Sequence, residues 1–154
     1  MSSLALYIAT VGPTGYARIA PGTAGSAFGL GLYLAMHYLG IDWKVQLGVT
    51  IAVIVIGTWA GAEAARHFQQ DDPSYVVIDE VAGQLVTLVL TGAKLQGALL
   101  GFVLFRALDV IKPPPSNHFE RMHGGVGIMA DDVAAGLYAM AGVTVLAAVG
   151  WLPG

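Results

Sequence analysis

Long uncharged stretches alternate along the chain with two short charged ones. The uncharged runs occupy residues 19–41, 45–62, 81–93, 95–105 and 133–154. A bilayer core about 30 Å thick needs about 20 helical residues at about 1.5 Å rise each, so the first, second and last runs are long enough to cross it. Run 81–93 reaches only about 20 Å. Its helix must therefore begin earlier and carry Asp79 and Glu80 into the membrane interface, and run 95–105 must likewise include Arg106 and Asp109. The pattern predicts five helices, over roughly 24–40, 44–63, 76–92, 95–112 and 131–151. None of the runs shows the period-2 alternation of a β-barrel strand. The expected fold is an all-α, polytopic membrane helical bundle of about five helices, some short. Residues 1–154 form one domain, with no internal repeat, low-complexity tract or linker.

Composition agrees: 56% of residues are hydrophobic, only 11% are charged, and the mean hydropathy is +0.69. A soluble domain carries about 25% charged residues. Of the 17 formal charges, 13 fall within residues 63–80 and 106–132, among them nine of the ten carboxylates. Alternating helices place both segments and the N-terminus on one side. That side receives Arg18, Arg66, Arg106, Lys112 and Arg121, against Lys44 and Lys94 opposite, so the positive-inside rule makes the charged side cytoplasmic. Trp43 and Trp151 suit the other interface. The start, MSSLALYIATVG, has no Lys or Arg before its short apolar stretch, so no cleavable signal peptide is expected. A net charge of -3 and scattered basic residues exclude nucleic acid as a partner. The absence of cysteine excludes disulfides, thiol nucleophiles and thiolate metal sites.

Three segments carry chemistry. Pro21-Gly22-Thr23-Ala24-Gly25-Ser26 is a small-residue loop entering the first long helix. Its backbone N–H groups and two hydroxyls can face an anion, or its small residues can serve close helix packing. In Asp71-Asp72-Pro73-Ser74-Tyr75-Val76-Val77-Ile78-Asp79-Glu80-Val81-Ala82-Gly83-Gln84, Asp72 is placed to cap a helix and Pro73 to open it. Asp79 then stacks over Gly83 one turn on. The same device recurs at Asp131 and Asp132, read as opening the last helix, with Ala135 and Gly136 one turn later. The third segment, Phe105-Arg106-Ala107-Leu108-Asp109-Val110-Ile111-Lys112-Pro113, puts Arg106 and Asp109 on one helix face and stops at three prolines. The following Gly124-Gly125-Val126-Gly127 reads as a flexible loop. His67, His118 and His123 lack metal-ligand spacing and read as surface or interface residues, and His37 as structural.

Six carboxylates, Asp72, Asp79, Glu80, Asp109, Asp131 and Asp132, thus gather at one membrane face beside Arg106 and Lys112. Mutual repulsion opposes their joint ionisation unless a cation is present. An all-oxygen donor set points to Mg²⁺ rather than zinc. With cationic side chains nearby, the natural substrate is a phosphate ester at headgroup level, attacked by an activated water or by a carboxylate nucleophile.

The motifs PGTAGS, DPSYVVIDEVAGQ, FRALDVIKP and GGVGIMADDVAAG, in that order from Pro21 to Gly136, closely resemble the phosphatidylglycerophosphatase A family. The resemblance implies a small, multi-pass, Mg²⁺-dependent phosphatase of the bacterial inner membrane. Such an enzyme converts phosphatidylglycerophosphate to phosphatidylglycerol and inorganic phosphate, with its site facing the cytoplasm. Carried onto matching positions, it implies that Asp72, Asp79, Glu80, Asp109, Asp131 and Asp132 hold metal or activate water, with Asp79, Glu80, Asp109 and Asp132 at the centre of catalysis. Arg106 and Lys112 bind the phosphate, assisted by Thr23 and Ser26. After Lys112 the chain departs from the family pattern, with three prolines and Ser116-Asn117-His118 where aromatic and apolar residues are expected. A different class, a small ion- or proton-coupled transporter, predicts ionisable groups near the membrane midplane and an inverted repeat.

Overall fold

The computed structural model describes residues 3–114, 122 and 124–151. Over these the chain is all-helical: α1 (Ser3–Ala9), a single 3₁₀ turn (Thr14–Tyr16), α2 (Pro21–Tyr38), α3 (Trp43–Phe68), α4 (Ile78–Leu88), α5 (Leu95–Ile111) and α6 (Gly125–Ala148). The five expected helices are present as α2 to α6. The predicted short connections also hold: Gly40 (φ 70°) and Gly92 (φ 60°) adopt the left-handed backbone of tight turns. Asp42 caps α3 by accepting from the Lys44 N–H at 2.8 Å.

Two helices, α3 and α6, are long and apolar enough to cross a membrane. Val45, Ile51, Val55, Ile56 and Trp59 all lie exposed along α3, and only 28% of its most apolar 18-residue window is buried. An apolar surface of that kind marks a membrane or protein contact rather than bulk water, and with its length it makes α3 a candidate membrane span.

The shortest of the five, α4, is the centre of the bundle. Its 11 residues extend only about 16 Å, yet all but Glu80 are buried, and α2, α3, α5 and α6 all pack on it. Being enclosed by protein, it has no need to match the bilayer thickness. Close approach to α4 depends on small residues. A Cβ on Gly83 would lie 2.5 Å from the Phe105 ring of α5 and 2.7 Å from the Asp132 carbonyl of α6, and one on Gly136 would lie 2.5 Å from the Gly83 carbonyl. Thr87 Oγ1 donates to the Gly83 carbonyl of its own helix at 2.9 Å and reaches the Gly136 carbonyl across the seam at 3.4 Å. On the α2 side, Gly25 and Gly29 pack against the backbone carbonyls of Val77 and Val81. Backbones in contact across small residues are how helices associate where no hydrophobic effect acts between them.

Several helix ends differ from the sequence expectation. Pro21 opens α2 at its first position, so Thr23, Gly25 and Ser26 are helical rather than in a loop. α3 continues past Glu63 to Phe68, taking Arg66 and His67 into the helix, where Arg66 pairs with Glu63 at 2.6 Å. Pro73 does not open α4. It is buried in the preceding turn, and α4 starts at Ile78 behind Val77, whose N–H donates to the Ala9 carbonyl at the end of α1. The short α1 packs on α3 and thereby helps fix the entry to α4. Finally, α6 begins at Gly125, not 131. Gly125 abuts the Thr58 carbonyl and Gly127 the Met122 carbonyl, so these glycines serve tight packing rather than flexibility. The Ser116-Asn117-His118 departure and the histidines His118 and His123 lie outside the described residues.

Candidate functional site

The N-termini of α2, α4 and α6 and the C-termini of α3 and α5 share one end of the bundle, and a cavity of about 600 Å³ opens there. It is lined by Asp71, Asp72, Asp79, Glu80, Asp109, Asp131 and Asp132 together with Lys112. Pro21, Gly22 and Ser74 contribute to its wall. Among the described residues, seven carboxylates therefore surround this space against one lysine.

Helix geometry explains the convergence. α4 and α6 run in the same direction and touch at Gly83 and Gly136. Asp79 stands one turn before Gly83, and Asp132 one turn before Gly136, so the glycine contact sets the two carboxylates side by side. The first-turn position expected for Asp131 and Asp132 belongs instead to Asp79 and Glu80. The partial positive charge of the α4 N-terminus is thus directed at Asp79 and Glu80.

Two groups emerge from the distances. Asp79, Glu80 and Asp132 each present an oxygen such that the three lie within 4.8 Å of one another, and Asp109, Asp131 and Asp132 form a second such set sharing Asp132. The groups differ in their neighbours. Asp109 Oδ2 accepts from Arg106 Nη1 at 2.6 Å, and Asp131 Oδ2 meets Lys112 Nζ at 2.5 Å. In the first group, Asp79 Oδ1, Glu80 Oε2 and Asp132 Oδ2 are buried with no hydrogen-bond partner among the described residues. A buried carboxylate oxygen without a partner is costly. Three such carboxylates, with one oxygen of each within 4.8 Å of the others, are the donor set of a hard cation, so the residues present fit a metal ion.

The remaining predicted residues are placed as follows. Lys112 caps α5 in a left-handed conformation (φ 50°), which turns its side chain across to Asp131 on the cavity wall. Arg106 sits behind the carboxylates rather than in the cavity lining, with Nη1 between Asp109 and the Ser26 hydroxyl at 3.5 Å. Ser26 is buried and donates to the Gly22 carbonyl at 2.9 Å, while Thr23 is exposed; neither lines the cavity. Asp72 stands exposed at the mouth. Asp71 and Ser74 also line the cavity, although within the segment around Asp72 the sequence pattern gave them no role. The signal available was their position in the same turn, which brings every polar side chain of Asp71-Asp72-Pro73-Ser74 to the rim. Gly22 is a further unanticipated member. It lies against Glu80 Oε1 and Arg106 Nη2, where a Cβ would intrude.

A family model described as phosphatidylglycerophosphatase A matches residues 7–147. The chain belongs to the phosphatidylglycerophosphatase A family. Two bacterial proteins named "Phosphatidylglycerophosphatase A" are similar to it. That of Escherichia coli strain K12 is 36% identical over 126 residues, covering 80% of this chain and 72% of the relative. That of Haemophilus influenzae is 34% identical over 143 residues, covering 90% and 85%. A Bacteroides thetaiotaomicron protein named "Putative phosphatidylinositol-3-phosphatase" is 35% identical over 143 residues, covering 89% of each chain. No solved structure matches this chain. Membership of the phosphatidylglycerophosphatase A family makes the protein a phosphatase, and the transporter alternative is not favoured.

Proposed function

We propose that this protein removes the terminal phosphate of phosphatidylglycerophosphate, giving phosphatidylglycerol and inorganic phosphate, with Mg²⁺ bound by Asp79, Glu80 and Asp132. The observation that carries the reading is the charge of the cavity. Seven carboxylates and one lysine repel a phosphomonoester, so a phosphatase built around them requires a cation at Asp79, Glu80 and Asp132, one oxygen of each lying within 4.8 Å of the others. When bound, Mg²⁺ neutralises developing charge on the phosphoryl group and lowers the pKa of a coordinated water.

The chain's own residues supply the rest. Lys112, held by Asp131, binds a phosphate oxygen from the cavity wall. Asp109, fixed by Arg106, accepts a hydrogen bond from the attacking water and orients it. Arg106 faces Glu80 across Gly22 and offsets part of the acidic charge without entering the cavity. Asp72 at the mouth, like Asp131, contributes to cation attraction. The small volume, about 600 Å³, suits a glycerophosphate headgroup with the acyl chains left in lipid.

The bundle end bearing this cavity is the cytoplasmic one in this reading. It is supported by Arg18, Arg66, Arg106 and Lys112 at that end against Lys44 and Lys94 at the other. The helices α2, α3, α5 and α6 then cross the inner membrane around the enclosed α4.

The name of the Bacteroides relative sets the sharpest comparison of substrates. Purified protein in mixed micelles is expected to release inorganic phosphate from phosphatidylglycerophosphate at least about tenfold faster, by kcat/KM, than from phosphatidylinositol 3-phosphate. That ratio corresponds to about 1.4 kcal/mol of transition-state discrimination. The reverse preference overturns the substrate assignment while leaving the phosphatase chemistry in place.

A further inference from the structure

Gln84 stands one turn after Glu80 on α4 and is fully buried. Neither its Nε2 nor its Oε1 has a hydrogen-bond partner among the described residues. An apolar residue would fill this place at the bundle centre more cheaply, since each unmade bond of a buried amide is destabilising.

The surroundings show where the amide is directed. On α2, Gly22 lies against the Glu80 carboxylate, a Cβ added to Gly25 would lie 3.5 Å from Glu80 Cβ, and one added to Gly29 would lie 3.0 Å from Gln84 Cβ. Glu80 and Gln84 therefore occupy the same α4 face, against the same seam of α2. Helical side chains lean toward the N-terminal turn, so the Gln84 carboxamide is directed at Glu80. There the Glu80 Oε2 atom is itself buried and without a partner.

We infer that Gln84 is a positioning residue for Glu80, acting through one buried water that joins the Gln84 carboxamide to Glu80 Oε2. Such a water has three polar atoms to bind, the number that buried waters usually find. The link restricts the Glu80 carboxylate to the orientation in which it faces Asp79 and Asp132. Partners of metal-binding carboxylates act in this way, and their loss weakens metal binding about 10- to 100-fold. The inference rests on the assignment of a cation to Asp79, Glu80 and Asp132.

The test is Mn²⁺ affinity of the metal-stripped, detergent-solubilised protein, read by electron paramagnetic resonance. The variants are Gln84→Met, which keeps the volume and removes the amide, and Gln84→Asn, which keeps the amide and withdraws it by one methylene. Gln84→Met is expected to raise the Mn²⁺ Kd at least about tenfold and to lower kcat at subsaturating Mg²⁺ while KM for lipid stays within about twofold. Gln84→Asn is expected to fall between. Wild-type Mn²⁺ affinity in the folded variants overturns the positioning role and makes Gln84 a packing residue. If Gln84→Met does not fold, wild-type affinity in Gln84→Asn overturns the role equally. Wild-type protein that binds no Mn²⁺ overturns the cation assignment itself, which separates the two failures.

Discussion

Asp79→Asn is expected to abolish phosphate release, by more than about 1,000-fold in kcat, a loss of about 4 kcal/mol in transition-state stabilisation, without unfolding the protein. The side chain it replaces is 6% exposed and has one oxygen without a partner, so asparagine fits the same space. What changes is the charge. Glu80 and Asp132 remain, but the three-oxygen set within 4.8 Å loses a carboxylate, and a neutral amide is a far weaker ligand for a hard cation. The same substitution relieves repulsion among carboxylates in the metal-free protein. Its thermal midpoint in EDTA is therefore expected to equal or exceed that of the wild type, the signature of a functional rather than a structural residue. A well-folded Asp79→Asn protein with near wild-type kcat removes Asp79 from the mechanism.

The second large effect comes from a residue with no functional group. Gly83→Val places new carbon atoms in a seam where even a Cβ stands 2.5 Å from Phe105 and 2.7 Å from the Asp132 carbonyl. Neither neighbour has room to withdraw, because Phe105 is fully buried and the carbonyl belongs to the α6 backbone. Overpacking of this kind costs about 3 kcal/mol. It also pushes α4 and α6 apart at the contact that sets Asp79 beside Asp132. Loss of activity is expected together with a clear drop in thermal midpoint. Gly31→Ala, at a position with nothing within 4 Å of the added carbon, serves as the control and is expected to leave both unchanged. An active, stable Gly83→Val protein shows that the α4–α6 seam does not set the site.

Much of this arrangement was legible in the sequence. Charge-free runs gave the five principal helices, because a helix packed in lipid must be apolar over most of its surface. The spacing of Asp79 to Gly83 and of Asp132 to Gly136 already held the pairing of carboxylate and small residue that joins α4 to α6. What the pattern could not supply was the order of the helices in space. Run 81–93 is as apolar as the lipid-facing runs, so nothing in it distinguished an enclosed helix from a short spanning one. Helix starts were misplaced for a related reason. Gly125 and Gly127 resemble loop glycines until the Thr58 and Met122 carbonyls beside them are known. Pro73 resembles a helix opener until the turn that buries it is seen. The same limit applies to the cationic residues. Lys112 and Arg106 are six residues apart in one motif, yet only Lys112 lines the cavity, because the left-handed cap at the end of α5 redirects it toward Asp131. Gln84 is the reverse case, a polar residue inside an apolar run whose significance depends on Gly29 opposite it.

The most direct test of the central claim, a cation-dependent lipid phosphatase built on Asp79, Glu80 and Asp132, is inorganic phosphate release from phosphatidylglycerophosphate in mixed micelles by the purified protein. The assay is run first in EDTA and then with excess Mg²⁺ restored. Release that stops in EDTA and returns with Mg²⁺ is the predicted result. Release that continues undiminished in EDTA, or that is absent when Mg²⁺ is in excess, contradicts it.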